Sequence, residues 1–360
     1  MAAPRTVEVP RLLHVGDDAL RRVAPLLEGH GFDLRKAFIG CGPGPSRIFA
    51  ARVAEGLRAH GAEVVESTHL VGRLEQAAAA AATIIEDGVT VAIGVGGGRA
   101  IDPVKLAAAR TGVEFVSVPT TISNDGMSSP VASLMSRDGV RSSHAAKMPC
   151  GIVVDLDAAG SAPAASLRAG VGDLVSNLTA GLDWRLADRE GHEPFDAYSA
   201  MVAEAAARPA LDLTDLESGR SRAVLAEGLL LSGLAMATAG TSRPCSGAEH
   251  LISHALDAQL GPRSALHGEQ VALGSLVAAA AHGSPLLARL HVLFRRLGLP
   301  TRPQALGMSL AQLHDAVLAA PSLRPDRWTV LSDRFRTGAE VDALLDAAFS
   351  PEAVEAPVSA

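Results

Sequence analysis

The chain opens with short apolar runs set between stretches of helical period. Lys36–Cys41 (KAFIGC) is a compact apolar run and predicts a strand. Gly42-Pro43-Gly44-Pro45 turns it, and Ser46–His60 has helical spacing up to a stop at Gly61. Glu63–Glu66 predicts a second strand. Arg73–Glu86 predicts a helix with Leu74, Ala78 and Ala81 on one face. Val91–Val95 predicts a buried strand, Ile101–Arg110 a helix, and Glu114–Val118 and Ile152–Asp155 two further strands. Strands alternating with helices of this length imply parallel βαβ units.

Around Asp157–Leu167 the chain turns small, polar and turn-rich. Beyond Leu167 the period is almost wholly helical. The candidate helices are Gly172–Arg189, Asp196–Arg208, Gly219–Ala239, Gly247–Leu256, His267–Ala281, Leu286–Leu297, Leu310–Ala319 and Ala339–Phe349. The pattern therefore predicts an α/β domain over residues 1–160 and an all-α domain over 161–360, with ligands expected in the cleft between them.

Composition supports this division. A chain of 360 residues exceeds the usual single domain, and 48% hydrophobic with 20% charged residues is ordinary globular composition. The net charge of −7 and the lack of a long basic run exclude an obvious nucleic-acid partner. Cys41, Cys150 and Cys245 are too far apart for a disulfide framework, and a reducing cytoplasm fits them. The first residues (MAAPRTVEVPRLL) hold no leader-like apolar run, and no uninterrupted apolar stretch of about 18 residues suggests a membrane span. A homo-oligomer is expected. The lysines are only Lys36, Lys105 and Lys147.

Four segments carry candidate chemistry. In Gly94–Lys105 a buried strand runs through Gly96, Gly97 and Gly98 into a helix. Such a loop lets backbone approach a pyrophosphate, and the helix start offers N–H groups and a positive dipole end. It is neither GxGxxG nor a Walker loop, and it could equally be a tight turn. In Ser117–Gly126 a strand ends in Pro-Thr-Thr, and Thr120, Thr121, Ser123, Asn124 and Asp125 follow it. Loops at strand C-termini are where open α/β sheets bind ligands, although Ser-Asn-Asp-Gly also makes an ordinary turn. The third set is Asp173, at a predicted helix start, with His250 and His254 on one helix face and His267 opening a later helix. One carboxylate and two imidazoles suit zinc or another divalent metal; an N-cap role for Asp173 stays open, and HExxH is absent. Finally, Arg243 precedes the helix of His250 and could hold a substrate phosphate.

Together these blocks resemble the iron-containing alcohol dehydrogenase and dehydroquinate synthase superfamily, and within it the sn-glycerol-1-phosphate dehydrogenase family. The carrying blocks are GVGGGRAID at Gly94–Asp102, VPTTISNDGMSSPVASL at Val118–Leu134, GVGDLVSNLTAGLDWRLA at Gly170–Ala187, SRPCSGAEHLISHALD at Ser242–Asp257 and LHGEQVALG at Leu266–Gly274. The resemblance runs from about residue 10 to 350 and implies a Rossmann-like N-terminal domain followed by a helical one. It implies Asp173, His250 and His267 as metal ligands, with zinc the usual metal and nickel or iron in relatives. It implies Gly96, Gly97, Gly98, Asp102, Thr120, Thr121 and Ser123 as cofactor contacts. Asp125 resembles a substrate-facing acid, and His254 resembles a histidine near the nicotinamide.

Arg243 stands seven residues before His250, the spacing of a phosphate-binding arginine in dehydroquinate synthases. The synthase pattern SSVGGKTG is replaced by Ser128-Ser129-Pro130-Val131-Ala132-Ser133, which argues against cyclase chemistry. The implied activity is reversible hydride transfer between NAD(P)H and dihydroxyacetone phosphate, giving sn-glycerol 1-phosphate for phospholipid synthesis. Asp125 and His254 are the expected catalytic groups, and Asp125 and Arg243 the substrate contacts. A dehydrogenase of another phosphorylated or polyhydroxylated ketone, or a sugar-phosphate cyclase, is the alternative. The turn Cys41-Gly42-Pro43-Gly44 lacks an acid for the adenosine ribose, so NADP is admissible beside NAD.

Overall fold

The computed structural model describes residues 7–139 and 141–350, and the side chain of Asp333 is not among the described groups. Residues 1–6, the first of those read above as lacking a leader-like run, lie outside the described residues. The chain divides into two compact units, the first ending at Pro163 and the second beginning at Ala164.

The first unit holds β1 (Leu12–Gly16), α1 (Val23–Gly29), β2 (Lys36–Cys41), α2 (Ser46–Ala59), β3 (Glu63–Ser67), α3 (Leu74–Glu86), β4 (Val91–Gly96), α4 (Gly98–Thr111), β5 (Glu114–Pro119), β6 (Val131–Met135), β7 (Arg141–Ala145), β8 (Gly151–Asp155) and α5 (Leu156–Gly160). Six strands form one parallel sheet in the order β1-β8-β5-β4-β2-β3. The central strands are buried along their length, as a parallel sheet covered on both faces requires. Strand order reverses between β2 and β4. In open α/β sheets the crevice at such a reversal, beyond the strand C-termini, is where ligands bind. The loops there are Gly42–Pro45 and Gly96–Gly98.

β6 and β7 form a separate antiparallel hairpin. Its inward residues Ala132 and Leu134 pack with Ala77 of α3 and Leu106 of α4. Neither hairpin strand was expected from the sequence, nor was β1, the edge strand paired to β8.

The second unit is helical among the described residues: α6 (Ala164–Arg189), α7 (Ala197–Ala207), α8 (Gly219–Ala239), α9 (Ala248–Leu260), α10 (His267–Ala281), α11 (Leu286–Leu297), α12 (Leu310–Leu323), α13 (Val330–Arg334) and α14 (Gly338–Phe349). Its main core joins α9, α10, α12, α13 and α14 through Leu251, Ile252, Leu273, Val277, Leu313, Val330 and Leu344. α8 is long and apolar enough to cross a membrane by length and composition, but over half of it is buried inside the fold. It packs on α6 and α7 as a core helix would.

α6 begins well before Gly172, the predicted start. Gly170-Val171-Gly172-Asp173 therefore lies inside a helix, and Asp173 is not an N-cap. The reason is packing. A Cβ on Gly172 would stand 2.1 Å from the carbonyl oxygen of Gly268, and one on Gly268 would stand 1.9 Å from the carbonyl oxygen of Ala169. The two glycines let α6 and α10 touch backbone to backbone. That contact outweighs the roughly 1 kcal/mol helix cost of a glycine.

Candidate functional site

In the first unit the glycine loop joins β4 to α4. Gly96 has φ +142, a conformation open to glycine, and a Cβ there would press on Ala100 and Ser46. Gly97 is the N-cap of α4, and a Cβ on it would stand 2.9 Å from Thr121 Oγ1. The Thr120 N–H donates to the Gly96 carbonyl at 3.0 Å. Gly96, Gly97, Gly98, Thr120 and Thr121 thus form one surface at the start of a 14-residue helix. Ser123 is half-buried in the same stretch, and the Asp125–Met127 turn follows it. Ser46, at the start of α2, also adjoins the loop; sequence reasoning passed over it, and its position just after Gly-Pro-Gly-Pro was the available signal.

Asp102 sits beneath this surface, with a carboxylate oxygen within 3.9 Å of where a Gly98 Cβ would lie. Both its oxygens are engaged within the protein. Oδ1 accepts from Lys105 Nζ at 3.1 Å and Oδ2 from the Ser133 N–H at 3.1 Å. Burial pushes the Asp102 carboxyl up, against the pull of Lys105. Lys105 is itself buried and also donates to the carbonyls of Gly126 and Val131. One ammonium thereby ties α4 to the Asp125 turn and to β6.

In the second unit, α6, α9 and α10 bring Asp173, His250 and His267 together. One candidate ligand atom from each lies within 4.8 Å of the others. The Nε2 atoms of His250 and His267 each stand 3.6 Å from Asp173 Oδ1. The other ring nitrogens are held from behind. His250 Nδ1 lies 3.0 Å from Glu249 Oε1, a carboxylate oxygen that can only accept. His267 Nδ1 lies 3.0 Å from Ser253 Oγ, whose own proton goes to Gln270 Oε1 at 3.0 Å. Gln270 Nε2 donates to Asp257 and to the Ala265 carbonyl, which fixes its amide. When neutral, as a ligating ring must be, both imidazoles therefore carry their proton on Nδ1 and turn Nε2 toward the carboxylate. One carboxylate oxygen and two Nε2 atoms are the donor set a divalent transition metal takes, with positions left for substrate.

The charges agree. Burial lowers a histidine pKa, yet hydrogen bonds to Asp173 and Glu249 push His250 up to about 10. Burial and the adjacent His250 hold His267 down at about 4. Without a metal, His250 is therefore protonated on both ring nitrogens and His267 is neutral. His254 is half-buried beside it, its ring centroid 6.0 Å from that of His267.

Asp183 sets the helix that carries His250 and His254. Fully buried, it accepts from the Ala248 N–H at the start of α9, from the Val330 N–H at the start of α13, and from His282 Nε2 at 2.9 Å. Arg168 of α6 and Glu269 of α10 add an ion pair at 3.2 Å.

Arg243 is placed differently from a free phosphate-binding arginine. It is 1% exposed, its Nε pairs with Glu193, and its Nη1 donates to the Trp328 carbonyl at 2.7 Å. Nη2 is buried with no hydrogen-bond partner among the described residues. Arg327 lies alongside and reaches the Ser246 carbonyl and Ser242 Oγ. Burial, with Arg324 and Arg243 nearby, lowers Arg327 to about 10.

Glu249, Ser253 and Gln270 were not singled out from the sequence. The Glu-His pair at 249–250, and a serine three residues beyond His250, were the signals available.

The sequence profile of the iron-containing alcohol dehydrogenase family matches residues 14–163. A glycerol-1-phosphate dehydrogenase (NAD(P)+) of Methanothermobacter thermautotrophicus is 34% identical over 92% of this chain and 94% of its own. The enzyme of the same name from Methanosarcina acetivorans is 40% identical over 69% of this chain and 70% of its own. The crystal structure of glycerol dehydrogenase from Schizosaccharomyces pombe covers 96% of this chain and 92% of its own with a TM-score of 0.76 at 22% identity, a likeness that shows the fold alone. With a shared sequence of this length and an α/β unit followed by a helical one, the chain belongs to the glycerol-1-phosphate dehydrogenase family of iron-containing alcohol dehydrogenases.

Proposed function

We propose that this protein is a metal-dependent, NAD(P)-linked oxidoreductase that interconverts dihydroxyacetone phosphate and sn-glycerol 1-phosphate. The observation that carries the reading is the Asp173–His250–His267 cluster, with both Nε2 atoms turned to one carboxylate in a chain so similar to named dehydrogenases. A divalent ion held there, zinc with nickel or iron as alternatives, would act as a Lewis acid on the substrate oxygen. NADH or NADPH would supply the hydride.

The chain's own residues provide the setting. Gly96, Gly97 and Gly98 bring the backbone to the positive, N-terminal end of α4 and would seat the pyrophosphate. Thr120, Thr121 and Ser123 would bond the cofactor beside it, while Asp102 supports the loop from below. Asp125 would orient a substrate hydroxyl. His254, next to the ligand set, would pass a proton to or from the substrate oxygen. Arg243 would hold the phosphate once Glu193 gives way. All three cysteines are free thiols, which supports a cytoplasmic setting.

The test follows NADH and NADPH oxidation at 340 nm with dihydroxyacetone phosphate, before and after chelation and metal re-addition. Chelator-sensitive turnover restored by metal supports the reading and selects the cofactor. Absence of turnover in every metal form refutes it.

A further inference from the structure

Glu249 is fully buried, precedes His250, and has no part in the steps just described. Its Oε1 accepts from the Gly247 N–H and from His250 Nδ1, and its Oε2 lies 2.9 Å from Thr179 Oγ1. The backbone is shaped around it. A Cβ on Gly247 would stand 3.1 Å from Glu249 Oε2, and one on Gly274 would stand 2.7 Å from the Glu249 carbonyl oxygen. Capping the start of α9 does not require a buried charge, because a serine or asparagine oxygen does it. The partner ring shows the contrast: His267 is oriented by the neutral Ser253–Gln270 pair.

We propose that Glu249 is a positioning residue for the metal: it fixes His250 as the Nδ1–H tautomer with Nε2 toward Asp173, and it gives the site a second negative charge to match a divalent cation. The proposal rests on the ligand assignment made above. A carboxylate behind a ligating imidazole raises that ring's basicity, and losing such a partner costs about 10–100-fold in metal affinity.

Zinc affinity of the full chain, measured by competition with a chromophoric chelator, tests this in wild type, Glu249→Gln and Ser253→Ala. Glu249→Gln is expected to weaken zinc binding by about 10–100-fold, and Ser253→Ala by less, since it removes a neutral bond. The melting temperature of the metal-free proteins is read in parallel. A residue that only caps α9 would lower that temperature in Glu249→Gln and leave zinc affinity at the wild-type value, which overturns the proposal. Wild-type protein that takes up no zinc overturns the ligand assignment along with it. If Glu249→Gln does not fold, ¹⁵N-histidine spectra of zinc-loaded wild type decide the matter: His250 protonated on Nδ1 supports the proposal, and protonation on Nε2 overturns it.

Discussion

Arg243 buries a guanidinium beside a single carboxylate, that of Glu193, and leaves Nη2 without a partner among the described residues. If phosphate takes Glu193's place, Arg243→Ala will raise KM for dihydroxyacetone phosphate far more than for dihydroxyacetone. Glu193→Gln will lower the first of these by freeing the guanidinium. Steady-state kinetics with both ketones checks this, and equal effects on the two would refute the phosphate role. His267→Ala is expected to lose metal and activity together; an inactive variant with wild-type metal content would remove His267 from the ligand set. A third expectation concerns protons. His250 has its pKa raised to about 10 and so is charged at pH 7 without metal, whereas a ligating ring is neutral. Zinc uptake at pH 7 should therefore release about one proton, and affinity should fall as pH falls. Calorimetry in buffers of differing ionisation heat measures the release. The side chains of this cluster were legible because histidines are few and an Asp with two of them is chemically distinctive. The groups behind them were not: Ser253 and Gln270 look like any polar helix residue until the rings they hold are in place.

At the scale of elements, the alternation of apolar runs and helical period was enough to find β2 to β5, β8 and the helices between them. It missed β1 and the β6–β7 hairpin. β1 buries only Leu12, and alternate residues are buried in β6 and half-buried in β7, so none of the three shows a compact apolar run. The start of α6 was also missed, because Gly170 and Gly172 read locally as breakers. The purpose of Gly172 is the contact with α10, which brings Asp173 next to His267. Gly268→Ala would drive a Cβ to 1.9 Å from the Ala169 carbonyl oxygen, so one of the two helices must move. The expected cost is at least about 1–3 kcal/mol of stability, together with weaker metal binding, since Asp173 and His267 flank the displaced backbone. Thermal melts with and without zinc separate the two effects. An alanine variant that keeps wild-type stability would show the helices are not locked there. In the first unit, Lys105 locks elements together in a comparable way. Lys105→Met leaves Asp102 buried without its cation, an expected loss of about 3–5 kcal/mol, and denaturant unfolding reads it.

At the scale of the whole molecule, the sequence changes from alternating to helical pattern near residue 160, and the chain divides into two compact units after Pro163. That change is legible because period 2 and period 3.6 leave different apolar spacing. The cofactor-loop residues lie in one unit and the ligand set in the other, so removing metal should act on them unequally. A ligand present at about 1,000 times its Kd stabilises what it binds by roughly 4 kcal/mol. Chelation is therefore expected to speed amide exchange in α6, α9 and α10 while β4 and β5 keep their protection, and hydrogen-exchange mass spectrometry resolves this by peptide. Uniform loss of protection would mean that the metal supports the entire fold.

The edge strand β1 has one further consequence. Among the described residues its partner in the sheet is β8 alone, which leaves the ribosome about 140 residues later. At roughly 5–20 residues per second, Leu12–Gly16 waits some 7–28 seconds with its backbone unpaired. The nascent chain is therefore exposed at its beginning for longer than anywhere else in the sheet, and the first unit closes only when its last strand has been translated.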